Sequence, residues 1–490
     1  MFYLKKYSTK FYLLIFLLYL QFDHNFLNLT YTNDEFTFLL IGKSIFNGYP
    51  PFVEHWDLRG PLGFYFYALP FFFDNYLIVA KLLGLVSIYI TGLICFFISK
   101  KHYNIYAGIF SSFGLILYIS SSKHFFALHI EIFLLPIISG FIYFFLEFIC
   151  NKRKIDIFYM AVLISMATLM RPNLCILALI SFFFILKNKK DRFNNSLTYI
   201  ISGLIPLVLI LIPYLNINGG LQIFLNSTLH THLSHIAGRP FYLGFYKFFE
   251  ILTRYHWAII FFVLPLIVFF SKKEIFTKNL YLFFLLIGSI FSIAVSGKFS
   301  EHHFLMFIPF AIIICSSIFQ FENLKDKKTI IVVFFLFFVG SLLSNSVAKI
   351  NIHFKPANGK FEIYNFMKYH IDEEDKIFST DISQYLFFNK KNYFKTVGPC
   401  LFDRDYNLSK YYGKEVKFTN IFQEFLKREK PKYLIFRRGG CVSSKLYNKL
   451  YEILKKNYSI YEFYKDEQII NLKRSTQKEI KNYIIFKLND

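Results

Sequence analysis

The sequence predicts a polytopic α-helical membrane protein with a small α/β region at its C-terminal end. Three observations carry this expectation. Apolar residues come in long runs: 55% of the 490 residues are hydrophobic and only 18% are charged, a balance that soluble domains rarely show. Basic residues gather in alternate short loops between those runs. From about residue 349 the pattern shifts to short apolar alternations separated by polar stretches.

A bilayer-crossing helix needs about 20 apolar residues, within a range of ~17 to 25. The stretches that meet this are 9–24, 76–98, 104–121, 124–149, 155–171, 173–187, 197–216, 256–271, 279–296, 303–321 and 328–347. The segment 62–73, "LGFYFYALPFFF", is apolar but short and holds Pro70; it lies along the membrane or forms part of a further span. The fold class is therefore about 11–13 transmembrane helices followed by the α/β region. At the N-terminus, Lys5, Lys6 and Lys10 precede "FYLLIFLLYLQF" with no small-residue cleavage site, which reads as a retained first helix with its basic end inside.

That orientation places "SKKHYN", "NKRKID", "KNKKDR", "SKKEIF" and "NLKDKK" on the inner side. These short segments hold most of the Lys and Arg of the apolar region, and the longer alternate loops hold few. The net charge of +23 is thus mainly an orientation signal, and a nucleic-acid partner is not expected. The expected location is the bacterial cytoplasmic membrane, multi-pass, with the N-terminus cytoplasmic and the C-terminal region on the outer face. The expected domains are 1–348, with outer loops 25–75 and 217–255, and 349–490. In the latter, "DKIFST", "PKYLIFRR", "DEQIINLKR" and "NYIIFKLN" read as strands. "TNIFQEFLKREK" and "KLYNKLYEILKKN" read as amphipathic helices.

Cysteine is sparse. Cys95, Cys150, Cys175 and Cys315 fall in or beside apolar runs, with no metal-binding spacing. Cys400 and Cys441 lie in the polar C-terminal region; pairing outside the cell and two unpaired thiols are both open readings.

The predicted topology collects the unusual polar residues on one face: Asp34, Glu35, Glu54, Asp57, Arg59, His129, Glu131, Arg171, the loop 217–255, Lys298, His302 and His303. The first outer loop combines an acid pair, Asp34-Glu35, with "HWDLRGPL" about twenty residues later. An acid near the bilayer is costly unless it is paired, solvated or functional. A carboxylate there suits general-base work on an acceptor hydroxyl, and an arginine beside it suits a phosphate. Bland readings exist for each. An acid pair after a first helix can mark the return to water, and "DLRG" can be a salt-bridged turn. Glu131 can simply complement a helix start, and Arg171 and Lys81 can snorkel. "HTHLSH" (230–235) does not align its three histidines on a helix or strand face, so a lid over the site is preferred to zinc. "NGG" and "RRGG" lack nucleotide-binding spacing, which argues against a nucleotide sugar as donor.

The layout resembles the GT-C glycosyltransferases, in the branch of the protein O-mannosyltransferases, the lipid A aminoarabinose transferases and bacterial relatives acting on lipopolysaccharide. The residues that carry the resemblance are Asp34-Glu35 and "DLRGPL" (57–62), similar to an acidic first-loop motif followed by "D-x-K-P-P-L". Arg59 stands at the family lysine and Gly60 at the first proline. "ALHIEIFLLP" (127–136), "LMRPNLCIL" (169–177) and "SGKFSEHHFLMFIPF" (296–310) resemble later family segments, in order. "DKIFSTDISQYLFFNKK" and "KPKYLIF" resemble the small domain of the bacterial relatives.

The resemblance implies an inverting enzyme that moves a sugar from a polyprenyl phosphate to an acceptor hydroxyl at the outer membrane face. It implies that Asp34 is the general base and that Glu35 supports it or binds the acceptor. Arg59, beside Asp57, would hold the donor phosphate. Glu131 and Arg171 would contact donor or acceptor, and Lys298, His302 and His303 would stabilise the leaving phosphate. No cofactor is implied; this branch does not generally need a catalytic metal, and dependence on a divalent metal stays open. The partners are the lipid-linked donor, membrane lipids and a glycan, lipid or protein acceptor. A flippase of lipid-linked sugars is the alternative, but functional charges deep in helices and paired repeats are not evident. A scaffold protein would not require Asp34.

Overall fold

The structure, a computed structural model, describes residues 14, 33–57, 59–120, 128–188, 191–230, 242–254, 273–295, 301–320, 367–379, 383–390, 418–437, 450–455, 457–460 and 483–489. The helices run in chain order as α1 (Asn33–Phe46), α2 (Pro61–Ala68), α3 (Tyr76–His102), α4 (Ile105–Ser120), α5 (Ile130–Asn151) and α6 (Lys154–Met170). They continue as α7 (Cys175–Lys187), α8 (Arg192–Leu215), α9 (Gly220–Leu225), α10 (Tyr242–Arg254), α11 (Lys273–Ala294) and α12 (Ile308–Ser316). Apart from residue 14, the expected spans 9–24, 256–271 and 328–347 lie outside the described residues.

Among the described residues, α3, α5 and α8 are long and apolar enough to cross a membrane. Helix α5 is the hub: 78% of its apolar window is buried, against 22% for α8, whose exposed Leu204, Val208 and Leu209 suit a lipid-facing helix. Two breaks make α3 and α4 an antiparallel pair. Tyr103 leaves the helical region, and the Asn104 carboxamide accepts from the Ala107 amide at 2.9 Å, capping α4. Helix α5 ends where Lys152 turns left-handed at φ 55°.

The structure differs from the sequence expectation in two places that matter for the site. The stretch 33–46, expected as outer loop, is a helix with Asp34 and Glu35 in its first turn, where acids complement the amide dipoles. At 14 residues it is too short to span. The span expected from 124 begins as helix only at Ile130. Leu128 and His129 stay extended because the Leu128 amide donates to Glu35 and its carbonyl accepts from the Tyr67 hydroxyl.

In the C-terminal region four short strands form one sheet in the order β1-β2-β4-β3: β1 (Ile377–Ser379), β2 (Tyr433–Arg437), β3 (Tyr458–Ile460) and β4 (Tyr483–Leu488). Strand β1 runs parallel to β2, with Ile377 opposite Tyr433; the other pairings are antiparallel. The period-2 alternation gives the sheet two apolar faces. Leu434 and Phe436 pack under α14 (Phe418–Glu429) with Phe378, Phe422 and Phe425. Tyr433, Ile435 and Ile485 join the core that continues into the helical bundle. The link is α13 (Ser383–Phe387), which packs on α1; just beyond it, Asn389 accepts from Lys43. Expected strands "DKIFST", "PKYLIFRR" and "NYIIFKLN" correspond to β1, β2 and β4, whereas "DEQIINLKR", Cys400 and Cys441 lie outside the described residues.

Candidate active site

Two loops and three helix starts bring the polar residues together. The first loop is 57–60. Asp57 accepts from the Arg59 amide at 3.0 Å and from its guanidinium at 3.0 and 3.1 Å, which folds the loop back on itself. The guanidinium also reaches Asp34 at 2.8 Å and lies 4.7 Å over the Phe38 ring, so Arg59 bridges its own loop to the start of α1. Burial alone would push the Arg59 guanidinium down, but Asp57, Asp34 and Glu131 outweigh it and hold the group above its ordinary value.

Gly60 fixes where this loop sits. Its amide donates to the Met170 carbonyl at 3.1 Å, and a Cβ there would collide with the Leu169 carbonyl. A proline, which stands here in the resembled family, has no amide to donate. The glycine therefore lets the Arg59 loop lie directly against the turn that holds Arg171. That turn is itself pinned, since the Leu174 amide donates to the Arg171 carbonyl at 2.9 Å and the Asn173 carboxamide donates to Ser292 on α11 at 2.9 Å.

Arg171 pairs with Glu131, in the first turn of α5. His302 and His303, from the 3₁₀ turn Glu301–Met306, bring their Nε2 atoms to 3.9 and 4.0 Å from the same carboxylate. The His129 ring stacks on His302 at 4.4 Å and 21°. Burial holds the His129 imidazole below its ordinary value, against the pull of Glu131, so the ring is neutral at neutral pH. Glu131 Oε2, Arg171 Nε and His129 Nδ1 are buried polar atoms with no hydrogen-bond partner among the described residues. They are donors and acceptors available to a polar ligand.

The two adjacent acids are thereby separated in kind. The Asp34 side chain is 43% exposed beside Arg59. Glu35 is buried and held by Lys81 at 2.8 Å and by the Leu128 amide at 2.6 Å. Lys81, expected to snorkel, instead turns inward; a lone cation in an apolar helix and a lone buried acid satisfy each other here.

His129, Glu131 and His302 each bring one ligating atom to within 4.8 Å of one another, so they are the described residues able to hold a metal ion. An ion there would share Glu131 with Arg171 and lie near the cation of Arg59, both of which oppose it. Of the residues singled out in the sequence, Asp34, Glu35, Asp57, Arg59, Glu131, Arg171, His302 and His303 are brought to one end of the bundle. Lys298 lies outside the described residues, as does "HTHLSH" beyond its first residue. Lys81 and Gly60 were not singled out as site residues. A solitary charge inside an apolar run, and a glycine next to a basic residue in a polar loop, are the signals that find them.

Comparison with solved structures gives the ArnT structure from Cupriavidus metallidurans bound to undecaprenyl phosphate, at TM-score 0.64 and 12% identity over 98% of each chain. The chain folds like ArnT. The apo structure of the same ArnT matches at 0.60 and 11% identity, over 92% of each chain. ArnT is a GT-C superfamily member, so the resemblance read from the motifs is shown at the level of the fold. No family model and no curated protein matches the chain.

Proposed function

We propose that the protein is an inverting glycosyltransferase that moves a sugar from a polyprenyl phosphate to an acceptor hydroxyl at the outer face of the membrane. The observation that carries this reading is the Asp34–Arg59–Asp57 constellation beside Glu131, Arg171, His302 and His303: one accessible carboxylate backed by two partly buried arginines and two imidazoles. The ArnT-like fold supports it, since one of the matched ArnT structures holds undecaprenyl phosphate.

In this reading Asp34 takes the proton of the acceptor hydroxyl. The oxygen attacks the anomeric carbon, the bond from that carbon to the phosphate oxygen breaks, and the phosphate leaves with the electron pair. Negative charge then builds on the phosphate, where Arg59 and Arg171 stand preorganised and His302 and His303 lie within reach. Glu35 acts through Lys81 and the Leu128 amide; it holds the start of α1 and so positions Asp34. Glu131 orients Arg171.

The test is transfer by membranes carrying the wild type or Asp34→Asn, supplied with radiolabelled polyprenyl-phosphate sugars and the native envelope as acceptor. The reading expects transfer from at least one donor, lost in the variant at equal protein level. Transfer by both would remove Asp34 from the chemistry. No transfer from any donor, with donor lipid accumulating on the inner leaflet of cells lacking the protein, would favour the flippase reading.

A further inference from the structure

At the end of the bundle away from the site lies a groove whose chemistry the glycosyltransferase reading does not use. Lys81 marks the site end of α3. Lys100 and Lys101 come 19 and 20 residues later, roughly 28–30 Å along the axis at ~1.5 Å per residue, about the thickness of a hydrocarbon core.

Between α3 and α5, just inside those lysines, is a cavity of about 600 Å³. Its walls follow helical spacing. Ile94 and Phe97 lead up to Lys100 and Lys101 on α3, and Gly140, Tyr143 and Phe144 line the facing side of α5. The groove is thus apolar along its length and cationic at its mouth.

The charges at that end do not cancel. Beside the groove, at the end of α3 and the turn from α5 to α6, the basic residues are Lys100, Lys101, Lys152, Arg153 and Lys154, all exposed, and the acids are Glu147 and Asp156, both buried: five minus two leaves three positive charges. Glu147 is occupied by Lys101, Arg153 and Asn151, and Asp156 by Arg153. Lys100 and Lys152 belong to the surplus. Lys100 lies 5.8 Å from the Phe96 ring and Lys152 5.0 Å from the Phe148 ring, and both are exposed at the helix ends.

We propose that this groove binds one anionic phospholipid, of the phosphatidylglycerol or cardiolipin type, with its phosphodiester at Lys100 and the neighbouring cations and an acyl chain between Phe97 and Phe144. Cations in the order mouth-then-apolar-wall match the order head-then-chain of a phospholipid. The three surplus charges select an anionic head over a zwitterionic one. The inference is independent of the catalytic reading and needs only that the bundle spans a bilayer.

The experiment is native mass spectrometry of the purified full chain in detergent, titrated with phosphatidylglycerol, cardiolipin or phosphatidylcholine of matched chains. Thermal unfolding controls for folding. Retention of the anionic lipids over phosphatidylcholine is expected, falling by about five-fold for each charge removed in Lys100→Gln and Lys100→Gln/Lys152→Gln. Ile94→Trp, which fills the groove without changing charge, is expected to abolish the tightest lipid adduct while the protein stays folded. Equal retention of phosphatidylglycerol and phosphatidylcholine by the wild type would overturn the proposal, as would unchanged adducts in the double variant or in Ile94→Trp.

Discussion

The two ends of the helical bundle are built from the same residue types and use them differently. At the site end the cations themselves are inside: side-chain exposure is 18% for Arg59, 15% for Arg171 and 5% for Lys81. At the far end the acids are buried but the cations reach outward, with Lys101 51% and Arg153 55% exposed while they pair with Glu147. The far-end pairs of Arg153, with Glu147 and with Asp156 at i,i+3, join nearby turns, while Lys101 on α3 reaches Glu147 on α5. The site-end pairs join α1 to a loop 25 residues on, α1 to α3, and α5 to the turn after α6. Cations that snorkel cost little and hold helix ends in place. Cations held inside are expensive, a cost that the charge stabilisation proposed for Arg59 and Arg171 would explain.

This contrast can be broken or sharpened by substitution. The largest effect on stability is expected at Lys81→Met, which leaves Glu35 as a buried carboxylate without its cation. About 3–5 kcal/mol should be lost, read as a fall in the thermal unfolding midpoint in detergent, and Lys81→Met/Glu35→Gln should recover part of it. Gly60→Ala forces the new Cβ against the Leu169 carbonyl and should cost about 1–3 kcal/mol. Because it pushes the Arg59 loop off the Arg171 turn, it should also reduce transfer. Lys101→Met at the far end removes a half-exposed partner while Arg153 and Asn151 still hold Glu147, so the same unfolding assay should move by no more than about 1 kcal/mol. A cost comparable to that of Lys81→Met would erase the distinction between the two ends.

The smallest effect is expected in the C-terminal region, where the exposed Lys376 and Arg428 flank the half-buried Glu429. Hydrogen bonds from Lys376 and then Arg428 hold the Glu429 carboxyl below its ordinary value. A depressed folded pKa contributes stability above the unfolded value and loses it as pH falls through the folded one. The contribution, screened by solvent to about 0.2–1 kcal/mol, should therefore separate wild type from Lys376→Gln at neutral pH. It should vanish on acidification below the usual carboxylate range near ~4.3.

Much of the arrangement was legible in the sequence. Asp34, Arg59, Glu131, Arg171, His302 and His303 stand out because charges and imidazoles beside apolar runs are costly and few, and a common topology sorted them to one side. Strands β1, β2 and β4 followed from short apolar alternations. Helix α1 was missed because a search for spans of about 20 residues passes over a short one whose first turn is acidic. The late start of α5 was missed because "ALHIEIFLLP" is mostly apolar; the ties of Leu128 to Glu35 and to the Tyr67 hydroxyl, made across the fold, hold its first residues out of the helix. The inward turn of Lys81 has the same origin, since a partner 46 residues away leaves no local trace. The three-residue strand β3 is too brief for any period to register.

The most direct test of the account measures thermal unfolding and sugar transfer in one preparation of Asp34→Asn. The exposed Asp34 makes its pair with Arg59 from the solvent side, and Asp57 continues to hold that arginine. The account predicts an unfolding midpoint close to wild type and transfer lower by about 10²–10⁴-fold, the usual contribution of a positioned base. Wild-type transfer, or a loss of transfer that merely follows a collapse of the unfolding midpoint, would contradict the claim that the site end is a catalytic device.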